Sequence, residues 1–162
     1  MSELRIREVG YDHPDAALLI AEVQAEYVLR YGGPDDSPVD PAQFSAANGL
    51  FAVGYQDRRP VVMGGWRLRD PDDPHTGWAA PAAEIKRMYV VAAARGAGFA
   101  RQMLAFLERT AGTRGARWLL LETGSKQPEA IALYRSAGYQ DVPPFGHYAE
   151  APLAVHLGKQ VG

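Results

Sequence analysis

The segment Glu84-Ile-Lys-Arg-Met-Tyr-Val-Val-Ala-Ala-Ala-Arg95-Gly-Ala-Gly-Phe-Ala-Arg101 constrains the fold more than any other part of this chain. Glu84–Val91 reads as a strand, and Ala94-Arg95-Gly96-Ala97-Gly98 as a tight turn. A helix follows to about Arg114, with Phe99, Met103, Phe106, Leu107, Thr110 and Ala111 on one face. Glycines let successive backbone N–H groups converge without interference from a Cβ, and the helix N-terminus adds a positive partial charge. Such a turn can hold a diphosphate with backbone donors alone, and Arg95 and Arg101 would add charge to it.

The remaining pattern surrounds this unit with strands. Leu4–Val9 alternates apolar and charged residues, and a helix follows whose Ala16, Leu19, Ile20, Val23 and Tyr27 recur at helical spacing. Residues 32–41 are rich in Gly, Pro, Asp and Ser and read as a mobile loop. Leu50–Tyr55 and Val61–Leu68 read as a hairpin, and 70–81 as a second Pro/Asp-rich loop. Trp118–Glu122 is a buried strand. The next helix has Pro128 at its start and Gly138 just past its end, followed by strands at Tyr139–Val142 and Pro152–Leu157. The order β-α-β-β-β-α-β-α-β-β implies an α/β (α+β) arrangement, a mixed sheet flanked by helices. With 162 residues, one domain over 1–162 is expected.

Three phosphate-loop readings compete for the glycine turn, beside a turn that binds nothing. A Walker A loop needs Gly-Lys-Ser/Thr, which is absent. A dinucleotide fingerprint GxGxxG would need glycine where Arg101 stands. The third pattern, Arg/Gln-x-x-Gly-x-Gly/Ala, is met by Arg95, Gly98 and Ala100. A second motif follows downstream, Gln127-Pro-Glu-Ala-Ile-Ala-Leu-Tyr-Arg-Ser-Ala-Gly-Tyr139. Together, in this order and on these elements, the two resemble the coenzyme A loop and the Asn-x-x-Ala-x-x-x-Tyr-x-x-x-Gly-Phe helix of the GNAT N-acetyltransferases. The resemblance covers nearly the whole chain; Gln127 replaces the usual asparagine and Tyr139 the phenylalanine.

The resemblance implies the GNAT fold, a mixed central sheet of about six to seven strands flanked by about four helices. It implies acetyl-CoA as co-substrate, held by the backbone of Met88, Tyr89 and Val90, by Arg95, Gly96, Ala97, Gly98, Phe99, Ala100 and Arg101, and by Gln127. The Val90 amide is the expected donor to the thioester carbonyl. Tyr134 is the expected general acid at the leaving sulfur, because a phenol of ordinary pKa ~10 is protonated at neutral pH; a core tyrosine would read the same way. Glu84 is the expected general base, against a salt bridge to Lys86 or Arg67. Alternation puts Glu84, Lys86 and Met88 on one face unless a bulge intervenes. Glu122 is a second carboxylate that could serve as base or orient the acceptor.

The first helix and the last hairpin are expected to wall the acceptor cleft, with Tyr27, Arg30 and Tyr31 on one side and Phe145, His147 and Tyr148 on the other. Arg30 would suit an acceptor carboxylate; the alternative is a core Tyr27 and a solvated Arg30. The aromatic stretch Phe145–Tyr148 is also a candidate homodimer surface.

Composition narrows the chemistry. No cysteine is present, which removes disulfides and thiolate chemistry. Four scattered histidines with no HExxH make a metal unexpected. A net charge of −2 is a poor footprint for nucleic acid, and no apolar run is long enough to span a bilayer. The N-terminus lacks the layout of a secretory signal, so a cytoplasmic enzyme is expected. The leading expectation is acetylation of a small-molecule amine, with an amino-acid-like acceptor among the candidates, by direct attack in a ternary complex. A protein or peptide N-acetyltransferase and a non-catalytic coenzyme A-binding regulator are the alternatives.

Overall fold

A computed structural model describes residues 3–162, so the first two residues of the 1–162 expectation lie outside the described residues. Seven strands form one sheet: β1 (Arg5–Glu8), β2 (Gly49–Gln56), β3 (Arg59–Leu68), β4 (Ala82–Val90), β5 (Trp118–Gly124), β6 (Gln140–Asp141) and β7 (Ala154–Gln160). Their spatial order is β1-β2-β3-β4-β5-β7-β6. The β4–β5 pair is parallel and the other pairs are antiparallel. Three α-helices are described, α1 (Pro14–Tyr31), α2 (Phe99–Thr113) and α3 (Pro128–Ser136), where about four were expected; single 3-10 turns fill the loops.

The helices split between the two faces according to which stripe each can bury. On one face α1 places Ala16, Leu19 and Val23 over Phe44, Phe51, Val53 and Met63. On the other, Met103, Leu104, Leu107 and Ala111 of α2 and Tyr134 of α3 cover Leu50, Trp66, Ile85, Leu119 and Leu121. A Leu or Phe buried in this way contributes about 1.5–3 kcal/mol each. The strand residues alternate between the two sets, as a two-faced sheet requires.

Most element boundaries follow the sequence pattern, and the departures have local causes. The β2–β3 hairpin closes through Asp57 and Arg58, both at positive φ (51° and 66°), the backbone of a two-residue turn whose twist suits the strands. The last strand lies later than expected, at Ala154–Gln160, because it pairs along the whole of β5 from Gly124↔Ala154 to Trp118↔Gln160. Its polar end, Gly158-Lys159-Gln160, gave no apolar signal. Among the described residues no helix is long and apolar enough to cross a membrane.

Candidate active site

The decisive feature is a strand pair that parts. Strands β4 and β5 pair only at Ala82↔Trp118, Ala83↔Leu119 and Glu84↔Leu120, although both continue beyond. Past that point they diverge, and residues 85–88 and 121–124 line a cavity of about 320 Å³. A bulge in β4 shapes one wall. Met63 pairs with Tyr89 but Gly65 with Lys86, so two β4 residues face one on β3, and Arg87 takes φ 63°. The bulge reverses alternation: Lys86 stays on the α1 face with Glu84, whereas Met88 turns to the α2 face against Gly64. The expected common face of Glu84, Lys86 and Met88 is therefore limited to the first two.

At the end of β4 the Val91 N–H donates to Val61 on β3 (2.9 Å). By strand alternation the Val90 N–H and carbonyl turn the other way, towards the gap. The glycine turn follows. Gly96 and Gly98 have φ of 85° and 83°, and a Cβ at either would project into open space. The left-handed backbone, rather than packing, is what calls for glycine here. Gly98 caps α2 with no side-chain acceptor, and the amides of Ala97, Gly98, Phe99, Ala100 and Arg101 donate to no carbonyl or side chain among the described residues. Phe99 is buried and anchors the helix start. Arg101 donates to Ser136 Oγ (2.7 Å) on α3. Arg95 folds back across the opening: its Nε donates to the Val90 carbonyl (3.0 Å), its Nη2 meets Glu26 on α1 (3.0 Å), and its guanidinium lies over the Tyr89 ring. These free amides, in a turn with room for a ligand, are chemically suited to a diphosphate.

The cavity floor is ionic. Asp35, in the loop after α1, accepts from Lys86 Nζ (3.2 Å), Arg87 Nη1 (2.7 Å), Tyr148 Oη (2.8 Å) and the Ser37 N–H (3.0 Å). Burial opposes its ionisation, but Lys86 and these hydrogen bonds outweigh that and hold the carboxyl far below the usual range. Lys86 also donates to Ser37 Oγ, and Gln24 brackets the Asp35 backbone through its N–H and carbonyl. A loop read from sequence as mobile is thus tied to β4, α1 and Tyr148.

Glu122 and Tyr134 complete the walls. The Glu122 carboxylate has no hydrogen bond or ion pair among the described residues; burial, only partly offset by Lys86, pushes it up to about 7. Tyr134 is 6 % exposed and lines the cavity, with its ring edge-on to Tyr139 and no hydrogen bond to its hydroxyl. Burial, then the charge of Glu122, raises its pKa, so it is protonated throughout the neutral range. Tyr27 also lines the cavity, its pKa raised by burial and by Asp35. Tyr31 lies across Gly124, where a Cβ would collide with its hydroxyl, and accepts from the Lys126 N–H (3.2 Å) and Gln127 Nε2 (3.5 Å).

Several expected site residues lie elsewhere. Glu84 is not on the cavity surface: it is buried between Arg67 Nε (3.2 Å) and Arg69 Nη1 (3.1 Å), the salt-bridge alternative rather than a free base. Arg30 points away and donates to the Lys126 carbonyl (2.9 Å). His147 lines a different hollow with Arg67, Arg69 and Asp73. Phe145 is 1 % exposed and packs on His156 and Arg69, so it is core and not an exposed dimer surface. Asp35 and Arg87 were not singled out from sequence: one sits in a loop of generic turn composition, the other depends on a bulge that no pattern marks.

Comparison with known proteins agrees with this geometry. The model of the Acetyltransferase (GNAT) family matches residues 19–139. An IAA acetyltransferase of Azospirillum brasilense is 45 % identical over 76 residues, 47 % of this chain and 50 % of that protein, so the match spans half the relative's length. The uncharacterized N-acetyltransferase YjgM of Escherichia coli is 28 % identical over 81 % of this chain and 78 % of its own. Among solved structures, one from Klebsiella pneumoniae, provisionally assigned as an acyl-CoA N-acyltransferase, superposes with a TM-score of 0.77 at 27 % identity, covering 98 % of both chains. The parted strands, the free amides before α2 and a family match over most of the length lead to one conclusion: this chain belongs to the GNAT acetyltransferase family.

Proposed function

We propose that this chain, acting as one domain, transfers the acetyl group of acetyl-CoA to the amine of a small molecule, by direct attack with no acyl-enzyme. The observation that carries the reading is the presence, in one cavity between β4 and β5, of a largely buried carboxylate, Glu122, and a buried phenol, Tyr134, neither of which has a side-chain hydrogen bond or ion pair among the described residues. The amides of Ala97 to Arg101, with Arg95 and Arg101, would grip the diphosphate, and Gln127 with the Met88–Val90 backbone would hold the pantetheine arm.

An amine enters as ammonium and must lose a proton before it can attack. Glu122, titrating near 7, is matched to take that proton at neutral pH, which makes it a better base than Glu84. The nitrogen then bonds to the thioester carbon while the C–S bond breaks, and the Val90 N–H faces the developing oxyanion. Tyr134, raised above ~10, cannot favourably give its proton outright to a thiolate whose conjugate acid lies near ~8.5. Its role is to hydrogen-bond the departing sulfur. The proton shed by nitrogen as the amide forms is the one the sulfur finally holds, exchanged through solvent.

A small acceptor is favoured by Tyr148, whose hydroxyl bonds Asp35 (2.8 Å) and accepts from the Asp36 N–H (3.0 Å). This side chain bridges the two walls that an extended peptide would have to pass between. The IAA acetyltransferase relative is in keeping with a small acceptor. Calorimetry with acetyl-CoA, followed by thiol release on addition of an amine panel, tests the reading. Absence of binding, or binding without thiol release for any amine, refutes it.

A further inference from the structure

The cavity holds more positive charge than its own carboxylates neutralise once the reaction begins. Lys86 and Arg87 both pair with the same oxygen of Asp35, so two buried cations share one anion. That anion is saturated, since Ser37 and Tyr148 take its other oxygen. Lys86 retains a third N–H, and the Arg87 Nη2 has no partner among the described residues. Asp36, the remaining carboxylate at the rim, is exposed and screened by solvent. Glu84 is neutralised by Arg67 and Arg69 away from the cavity.

Glu122 balances the surplus only while it is ionised. An acceptor with an amine and nothing else would leave the cavity with one uncompensated positive charge, whether the proton sits on nitrogen or on Glu122. Buried charge without a partner is costly. An acceptor that carries a carboxylate as well removes the deficit in both protonation states. The remaining wall, formed by Tyr27, Tyr31, Leu121 and Leu153, is apolar or aromatic and would suit an uncharged side chain.

We propose that the acceptor is a small amine that also carries one carboxylate, an α-amino acid or close analogue, with its carboxylate read by Lys86 and Arg87 and its amine delivered to Glu122. This rests on the cavity being the acceptor site, as proposed above. Neither cation is one that the sequence pattern pointed to: Arg30, the guanidinium expected to meet a carboxylate, is bonded to the Lys126 carbonyl instead.

The test compares the proteinogenic amino acids with their amides and their decarboxylated amines, at saturating acetyl-CoA and pH 8. The expected result is at least one acid turned over with kcat/KM about 10- to 100-fold above its amide and amine, the discrimination that a charged hydrogen bond gives. Lys86→Met should raise KM for that acid and shrink the ratio towards unity, with acetyl-CoA affinity unchanged as the check on folding. Amides or amines turned over as well as the acids overturn the proposal, and so does failure of every acid in an enzyme that acetylates other amines. Loss of acetyl-CoA binding by the wild-type protein would instead show that the reading of the site itself is wrong.

Discussion

Glu122 ionises near 4.5 when unfolded, whereas burial lifts the folded group to about 7. At ~1.4 kcal/mol per unit, that difference amounts to roughly 3 kcal/mol. The sign follows from proton counting. Between the two values the folded state binds more protons, so the contribution is fully present below 4.5 and is lost as pH rises through about 7. Glu122→Gln keeps the shape and abolishes the titration. At pH 8 the variant should therefore be more stable than the parent by up to ~3 kcal/mol, falling below ~1 kcal/mol at pH 5. Urea unfolding at the two pH values reads this directly, and in melting the gain should be about 2–4 °C per kcal/mol. Turnover should move the opposite way. The parent kcat/KM should climb with pH to a plateau above about 7, whereas the variant should lose about 10²- to 10⁴-fold and show no inflection there. A variant no more stable at pH 8 than at pH 5, relative to its parent, would refute the account of Glu122 as a desolvated, unpaired carboxylate.

Three further outcomes follow from the same geometry. Glu84→Leu strands Arg67 as a buried cation, leaves Arg69 with Asp73 alone, and should cost about 3–5 kcal/mol in chemical denaturation, while the pH–rate profile of the remaining folded enzyme keeps its shape; a vanished inflection would make Glu84 the base after all. Tyr134→Phe removes a hydrogen-bond donor to the developing thiolate and should reduce thiol release by about 10- to 10³-fold with acetyl-CoA affinity unchanged by calorimetry, and an unaltered rate would remove Tyr134 from the proposed chemistry. Glu26→Gln frees Arg95 from α1, and because the pair is partly exposed the release is worth at most ~1 kcal/mol, so coenzyme affinity should rise by up to about fivefold. Weaker binding in that variant would mean that Glu26 positions Arg95 rather than competes for it.

The amino-acid order was enough to place the strand, glycine turn and helix around Arg95–Arg101 and the order of the strands in the chain. Those features are local: an apolar period, a left-handed glycine pair and a helix start depend on neighbours within a few residues. The family motif added what spacing could not, because both Gln127 and Tyr134 read as ordinary helix residues on their own. Which of the two carboxylates is paired and which stands alone was decided by tertiary structure. Glu84 and Glu122 both sit on sheet strands, yet Glu84 lies where β4 and β5 still pair and Arg67 and Arg69 reach it, while Glu122 lies past the point where they part. The ionic floor depends likewise on a bulge at Arg87 and on a loop brought back from residues 33–37. A charge's partners are set by distance in space, and the period of a strand says which way a side chain points but not what waits there.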